Sequence, residues 1–117
     1  AMRVISKPNV IKSMAKHPQW RIGVQLWLDV FDDGTLMFES FQKLRDVWRN
    51  HSGWNVDRIP ASKLVEQHKK GPLDVYVFDI NKNEARIISW INTTNGTVFY
   101  CDLFSHAEYD KWCKINK

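Results

Sequence analysis

The sequence predicts a single α+β domain, with N-terminal helices packed on a small antiparallel β-sheet and a short C-terminal helix. A length of 117 residues is enough for one core of modest size. In the first half of the chain, apolar residues recur at helical spacing. In the second half, three segments are rich in β-branched and aromatic residues, which favours consecutive antiparallel strands at residues 73–80, 85–92 and 97–104.

The chain begins with a short apolar segment, residues 2–6, that suits a strand at the edge of the sheet. A first helix is expected to start at Lys7, because proline is tolerated in the first helical turn, and to stop at His17-Pro18. Its buried side is expected to contain Val10, Ile11 and Met14.

Two further helices are expected before residue 50. The second should run from Trp20 to the Asp32-Asp33-Gly34 sequence, because its apolar residues follow the spacing i, i+4, i+7, i+8, i+11. These residues are Trp20, Val24, Trp27, Leu28 and Phe31. The third should start near residues 38–40 and bury Phe41, Leu44, Val47 and Trp48.

The segment from residue 50 to residue 71 is less determined by pattern. Residues 54–59 alternate as a strand would, whereas residues 61–70 are compatible with a strand, a short helix or a loop. Lys69-Lys70-Gly71-Pro72 marks a break before the next strand.

A hairpin followed directly by a helix is the most clearly defined part of the chain. Asn95-Gly96 suits a tight hairpin turn between the last two strands. Ser105 and Glu108 then form the S-x-x-E pattern of a capping box, which makes His106 the first helical residue. A helix start favours bound anions.

Arg86 lies on the strand next to this helix start, on the face that it shares with Ile88 and Trp90. An arginine and a histidine near a helix start indicate a phosphate site. Cleavage of RNA by its own 2′-hydroxyl needs a base, a cation and an acid, and these residues could supply such groups. Tyr109, three residues after His106, lies on the same side of the helix. The histidine and tyrosine could equally be structural residues around a capped helix start.

The charge distribution favours an acidic partner. The net charge is +4, and residues 1–72 carry 12 Lys and Arg against 7 Asp and Glu. Such a surface favours nucleic acid or an acidic protein, although it can also serve solubility alone. The candidate RNA-binding residues are Arg45, Arg49, Arg58, Lys63, Lys69 and Lys70.

Other classes of function receive little support. P-loop, G-x-G-x-x-G, G-x-S-x-G and H-E-x-x-H motifs are absent from the sequence. The four histidines are scattered and the two cysteines form no C-x-x-C pair, so we expect neither a metal site nor a cofactor. An apolar run long enough for a membrane span is also missing, which leads us to expect a cytoplasmic protein with no membrane partner.

Three motifs resemble the HigB family of toxins, which belongs to the RelE-like superfamily of type II toxin–antitoxin systems. They are YVFDI at residues 76–80, an N-x-x-R pattern from Asn83 to Arg86, and HAEYD at residues 106–110. Where that family commonly has Gly-Gly before the asparagine, this chain has Asn81-Lys82. The segment from residue 51 to residue 71 also looks longer than usual.

The resemblance implies a RelE-like fold and a ribosome-dependent mRNA interferase, held inactive by a helix-turn-helix antitoxin. It further implies metal-independent cleavage of mRNA in the decoding site, with Arg86, His106 and Tyr109 as catalytic residues. The alternative is a basic module that binds RNA or the ribosome without cutting.

Overall fold

The computed structural model describes residues 2–117 and shows four α-helices and a five-stranded mixed sheet. The elements are β1 (Arg3–Ile5), α1 (Lys7–Lys16), α2 (Arg21–Phe31), α3 (Phe41–Ser52), β2 (Val56–Ile59), β3 (Asp74–Ile80), β4 (Ala85–Asn92), β5 (Thr97–Ser105) and α4 (His106–Asn116). This arrangement confirms the predicted α+β fold.

The sheet has the strand order β1-β5-β4-β3-β2. Strands β3, β4 and β5 form the predicted antiparallel meander, and β2 pairs antiparallel with β3. β1 lies at the opposite edge, where it pairs with β5 in parallel. The sheet is therefore mixed, because the N-terminal strand runs in the same direction as the strand it joins.

The helices α1, α2 and α3 cover one face of the sheet and enclose the larger core. Its centre is a group of fully buried aromatic side chains: Trp27, Phe31, Trp48 and Phe78. Val10 and Met14 of α1 are buried as predicted, but the prediction for Ile11 is wrong because its side chain is 58% exposed. One residue step turns a helix by about 100°, which carries Ile11 away from the contact that Val10 makes with the core.

The helix α4 and the segment between β2 and β3 cover part of the other face. A smaller core lies beneath them, and it contains Ile59, Leu64, Val75, Val77 and Ile88. Residues 61–70, left open by the sequence, form a short 3-10 helix at Ala61–Lys63 followed by turns. This second face carries Arg86 and Trp90 beside Ile88, in the alternation predicted for β4.

Two hairpin turns depend on left-handed backbone conformations. Between β3 and β4, Asn81 and Lys82 have φ angles of 52° and 66°. Glycine adopts such angles without steric cost, which explains why Gly-Gly suits these two positions. Between β4 and β5, Gly96 has φ 77°, and the loop spans residues 93–96, so it is longer than the tight turn expected from Asn95-Gly96.

Candidate active site

The side chain of His106 is placed by the start of α4. The hydroxyl of Ser105 accepts a hydrogen bond from the Glu108 amide at 3.2 Å, and the Glu108 carboxylate accepts one from the Ser105 amide at 2.9 Å. This capping box fixes the first turn of the helix directly after β5. His106 is therefore held at the junction, with its side chain 61% exposed.

Arg86 lies beside it on β4, and its side chain is only 12% exposed. Nη2 of Arg86 lies 3.4 Å from Nδ1 of His106. A guanidinium can only donate, so Nδ1 is the acceptor in this contact and the proton of the neutral imidazole resides on Nε2. Nε2 in turn lies 3.6 Å from Oδ2 of Asp110, one helical turn later. The structure thus brings together the arginine and the histidine singled out from the sequence.

Three other N–H groups of Arg86 contact acceptors within the protein. Nε lies 3.1 Å from Oδ1 of Asp79. Nη1 donates to the carbonyl oxygens of Asn83 at 2.8 Å and Ala85 at 3.2 Å. Since a guanidinium has five N–H groups, these contacts and the one to His106 leave a single N–H of Nη2 for a ligand. A bidentate phosphate contact would require Arg86 to give up one of its protein acceptors.

Asp79 is a buried carboxylate that the sequence analysis did not select. Burial raises the pKa of Asp79 to about 6, Arg86 opposes this rise, and the nearby Asp57 adds to it. Its side chain is 19% exposed and stands opposite Arg86 in the register of β3 and β4. An acidic residue inside the otherwise apolar YVFDI segment was the signal that could have identified it.

The ring of Tyr109 lies between Arg86 and Trp112. The guanidinium carbon of Arg86 lies 5.7 Å from the centre of the Tyr109 ring, and Trp112 stacks on that ring at 6.0 Å. Burial raises the pKa of Tyr109 far above its ordinary value, and the contact with Cys113 adds to the effect. The hydroxyl is therefore protonated at neutral pH, so it can donate a proton or a hydrogen bond but cannot act as a base.

We call Asp79, Arg86, His106, Tyr109 and Asp110 the Arg86 cluster. It combines a cation, an imidazole whose Nε2 faces the carboxylate of Asp110, and the exposed carboxylate itself. Such a set can hold a phosphate and transfer protons.

The candidate RNA-binding residues fall on different sides of the molecule. Arg58 lies over the ring of Phe41 at 5.4 Å and 3.9 Å from the carboxylate of Asp74, and Arg45 covers the same ring at 4.7 Å. Arg49 donates two hydrogen bonds to Asn55. These three arginines are on the side of α3, across the sheet from the Arg86 cluster.

The candidate lysines lie elsewhere. Lys63, Lys69 and Lys70 are exposed in the segment that joins β2 to β3, which approaches the face of the Arg86 cluster. The structure thus separates the six candidate RNA-binding residues into two groups.

Among residues 2–117, histidine, cysteine and acidic side chains form no group of three or more that could hold a metal ion. No helix in this part of the chain has the length and apolar character needed to cross a membrane.

The chain is similar to a known family of proteins. A family model described as HigB toxin, the RelE-like toxic component of a toxin–antitoxin system, matches residues 35–112. The matched stretch contains all five members of the Arg86 cluster. The search of curated proteins found no match.

Proposed function

The chain belongs to the HigB family of RelE-like toxins, since the family model matches more than half of it, and on this premise we propose that it is a ribosome-dependent mRNA interferase. The observation that carries the proposal is the contact of 3.4 Å between Arg86 and His106 at the exposed start of α4. Membership of the family also implies an antitoxin partner. We propose a helix-turn-helix protein in that role, and the cytoplasm, where mRNA is translated, as the site of action.

The proposed reaction uses the ribose 2′-hydroxyl of the messenger as its nucleophile and needs no metal ion. The 2′-oxygen attacks the adjacent phosphorus, and its proton passes to the carboxylate of Asp110. The bond to the 5′-oxygen then breaks as the protonated carboxyl group of Asp110 returns that proton to the 5′-oxygen, while Nε2–H of His106 donates a hydrogen bond to a phosphate oxygen. The products are a 2′,3′-cyclic phosphate and a free 5′-hydroxyl.

The contacts of the Arg86 cluster support these roles. Arg86 accounts for the tautomer of His106 that has its proton on Nε2, and the remaining N–H of Arg86 can donate to a phosphate oxygen. The ring of Tyr109 packs against the guanidinium of Arg86, and its hydroxyl can donate a hydrogen bond to the phosphate. The side chains of His106 and Asp110 are 61% and 59% exposed, so a phosphate can approach both from solvent.

Primer extension on translating ribosomes tests this function. The wild-type protein should generate new 5′ ends in the messenger, whereas His106→Ala and Asp110→Asn should generate far fewer. Loss of a general acid or base reduces the rate by about 10²- to 10⁴-fold. Arg21→Ala, which changes an exposed residue of α2, is the matched control and should cut like the wild type.

Arg86 needs a milder substitution because its side chain is partly structural. Arg86→Lys keeps the positive charge beside Asp79 but loses the planar donor set, so it should fold and cut poorly. Translation that stops without new 5′ ends would contradict the proposal and indicate a binding module. Full cutting by a folded His106→Ala variant would overturn the proposed role of His106 in the reaction.

A further inference from the structure

A groove lies on the same face of the sheet as the Arg86 cluster, beyond Ile88. Arg86, Ile88 and Trp90 alternate along β4 toward this face, and Trp90 pairs with Phe99 of β5. Four residues of extended strand place Arg86 and Trp90 about 13 Å apart. A short single-stranded segment can span that distance.

The groove has aromatic walls and a cationic rim. Its volume is about 450 Å³, and its lining includes His68, Lys69, Lys70, Trp90, Phe99 and Cys101. The ring of His68 lies 4.6 Å from that of Phe99 and 5.3 Å from that of Trp90. This volume falls in the range of small-ligand clefts, about 300–1,000 Å³.

The chain segment that carries the cationic rim is fixed by its own hydrogen bonds. The amide of Lys70 donates to Nδ1 of His68 at 3.1 Å, and the amide of Gly71 donates to the His68 carbonyl at 3.0 Å. Burial, with Lys69 and Lys70, lowers the pKa of His68, so its ring is neutral at pH 7. With Nδ1 occupied as an acceptor, Nε2–H is the remaining donor for a ligand in the groove.

We propose that this groove binds one nucleotide of single-stranded RNA, with its base against Trp90 and Phe99 and its phosphate at Lys69 and Lys70. Aromatic rings beside cationic side chains are the usual elements of single-strand binding sites, because every base has a face that can stack. The proposal rests on the proposed function for its substrate, since it extends the path of the messenger away from the Arg86 cluster.

Binding of a fluorescein-labelled, uncleavable oligonucleotide with 2′-O-methyl groups tests the phosphate contacts without ribosomes. Each phosphate contact on a single strand contributes about 0.7 to the slope of log K against log salt. Because the groove is proposed to hold one phosphate, the double variant Lys69→Gln/Lys70→Gln should lower the steepness of that slope by about 0.7. The control Arg21→Gln/Lys43→Gln removes the same charge from exposed positions on α2 and α3 and should leave the slope unchanged.

A second variant tests the aromatic walls. Trp90→Leu should weaken binding about 5- to 150-fold, the effect expected from the loss of stacking on one base, while the salt slope stays at the wild-type value. Phe99→Leu serves the same purpose if Trp90→Leu fails to unfold cooperatively on heating. The groove proposal is overturned if the aromatic variants bind RNA normally, or if the Lys69/Lys70 variant and the Arg21/Lys43 control lower the salt slope equally. It is also overturned if the wild type binds no oligonucleotide, which would indicate a protein ligand for the groove.

The failure of this inference can be told apart from the failure of the proposed function. If groove variants bind normally and the wild type still produces new 5′ ends on ribosomes, the groove assignment alone is wrong. If groove variants lose binding and the wild type leaves no new 5′ ends, the groove assignment holds and the cleavage proposal is wrong.

Discussion

The carboxylate of Asp79 lies 3.1 Å from Nε of Arg86, and both side chains are largely shielded from solvent. Burial raises the pKa of Asp79 to about 6 from an ordinary value of 3.8. The folded state therefore binds more protons at Asp79 than the unfolded state does between these two values. It follows that the contribution of Asp79 to stability is greatest below pH 4 and falls as the pH rises toward 6.

We expect the free energy of unfolding to show this dependence on pH. The loss from Asp79 between pH 4 and pH 7 should be about 2–3 kcal/mol. Urea unfolding of the wild type and of Asp79→Asn at pH 4, 5, 6 and 7 measures it, because the variant lacks this titration. Parallel pH profiles for the two proteins would contradict the expectation.

Arg86 and His106 should differ in their effect on stability. Arg86→Ala leaves a buried carboxylate without its partner, which typically costs about 3–5 kcal/mol at neutral pH. His106→Ala changes a side chain that is 61% exposed and should alter stability by no more than about 0.5 kcal/mol. Thermal and urea unfolding at pH 7 distinguish the two. An equal loss in both variants would mean that His106 is part of the structural core of the site.

The capping box should influence the site through the position of α4. Ser105→Ala removes the acceptor for the Glu108 amide and should cost about 1 kcal/mol, whereas Ser105→Asp retains a capping oxygen and should cost less. Because His106 is the first residue of this helix, Ser105→Ala should also reduce cutting in the primer extension assay. Equal stability and equal cutting for both variants would show that the cap is dispensable.

Gly23 allows α2 to approach β3 closely. A Cβ atom at this position would lie 2.7 Å from Cγ2 of Ile80 and 3.2 Å from Cζ3 of Trp54. Gly23→Ala should therefore destabilise the protein by about 1–3 kcal/mol, although alanine is the better helix former. Gly34→Ala is the control, because a Cβ there meets nothing within 4 Å and should be neutral or slightly stabilising. Denaturant unfolding of both variants checks this contrast.

Lys82 has a left-handed backbone conformation, with φ 66°, in the turn between β3 and β4. This conformation is less favourable for lysine than for glycine. Lys82→Gly should preserve or raise stability, whereas Lys82→Val should lower it by about 1–2 kcal/mol because a branched side chain crowds the carbonyl in that region. The melting temperatures of the two variants provide the comparison. A valine variant as stable as the glycine variant would mean that the turn adopts a different conformation.

The parts of the fold that depend on local pattern were predictable from the sequence. Ser105 and Glu108 gave the helix start, and the alternation along residues 85–91 placed Arg86 and Trp90 on one face. The contact of Arg86 with His106 followed from these two local features, since β4 and β5 are neighbours and α4 begins where β5 ends.

Features that depend on distant partners could not be derived in this way. The parallel pairing of β1 with β5 joins Arg3 to Thr97, and no local pattern specifies that partner. The guanidinium groups of Arg45 and Arg58 meet over the ring of Phe41, and the role of both residues in RNA binding stays a prediction. No local pattern specifies the groove, because His68 contacts Phe99 only when the segment between β2 and β3 has folded back across the sheet.

The pairing of β1 with β5 also bears on when the protein can become harmful to the cell that makes it. β1 is synthesised before its strand partner in the described sheet, β5, which is the last of the five strands to be made, and His106 follows β5 directly. A nascent chain therefore cannot complete this sheet or assemble the Arg86 cluster until β5 and the first turn of α4 have left the ribosome. Co-translational folding thus delays assembly of the site until both have been made.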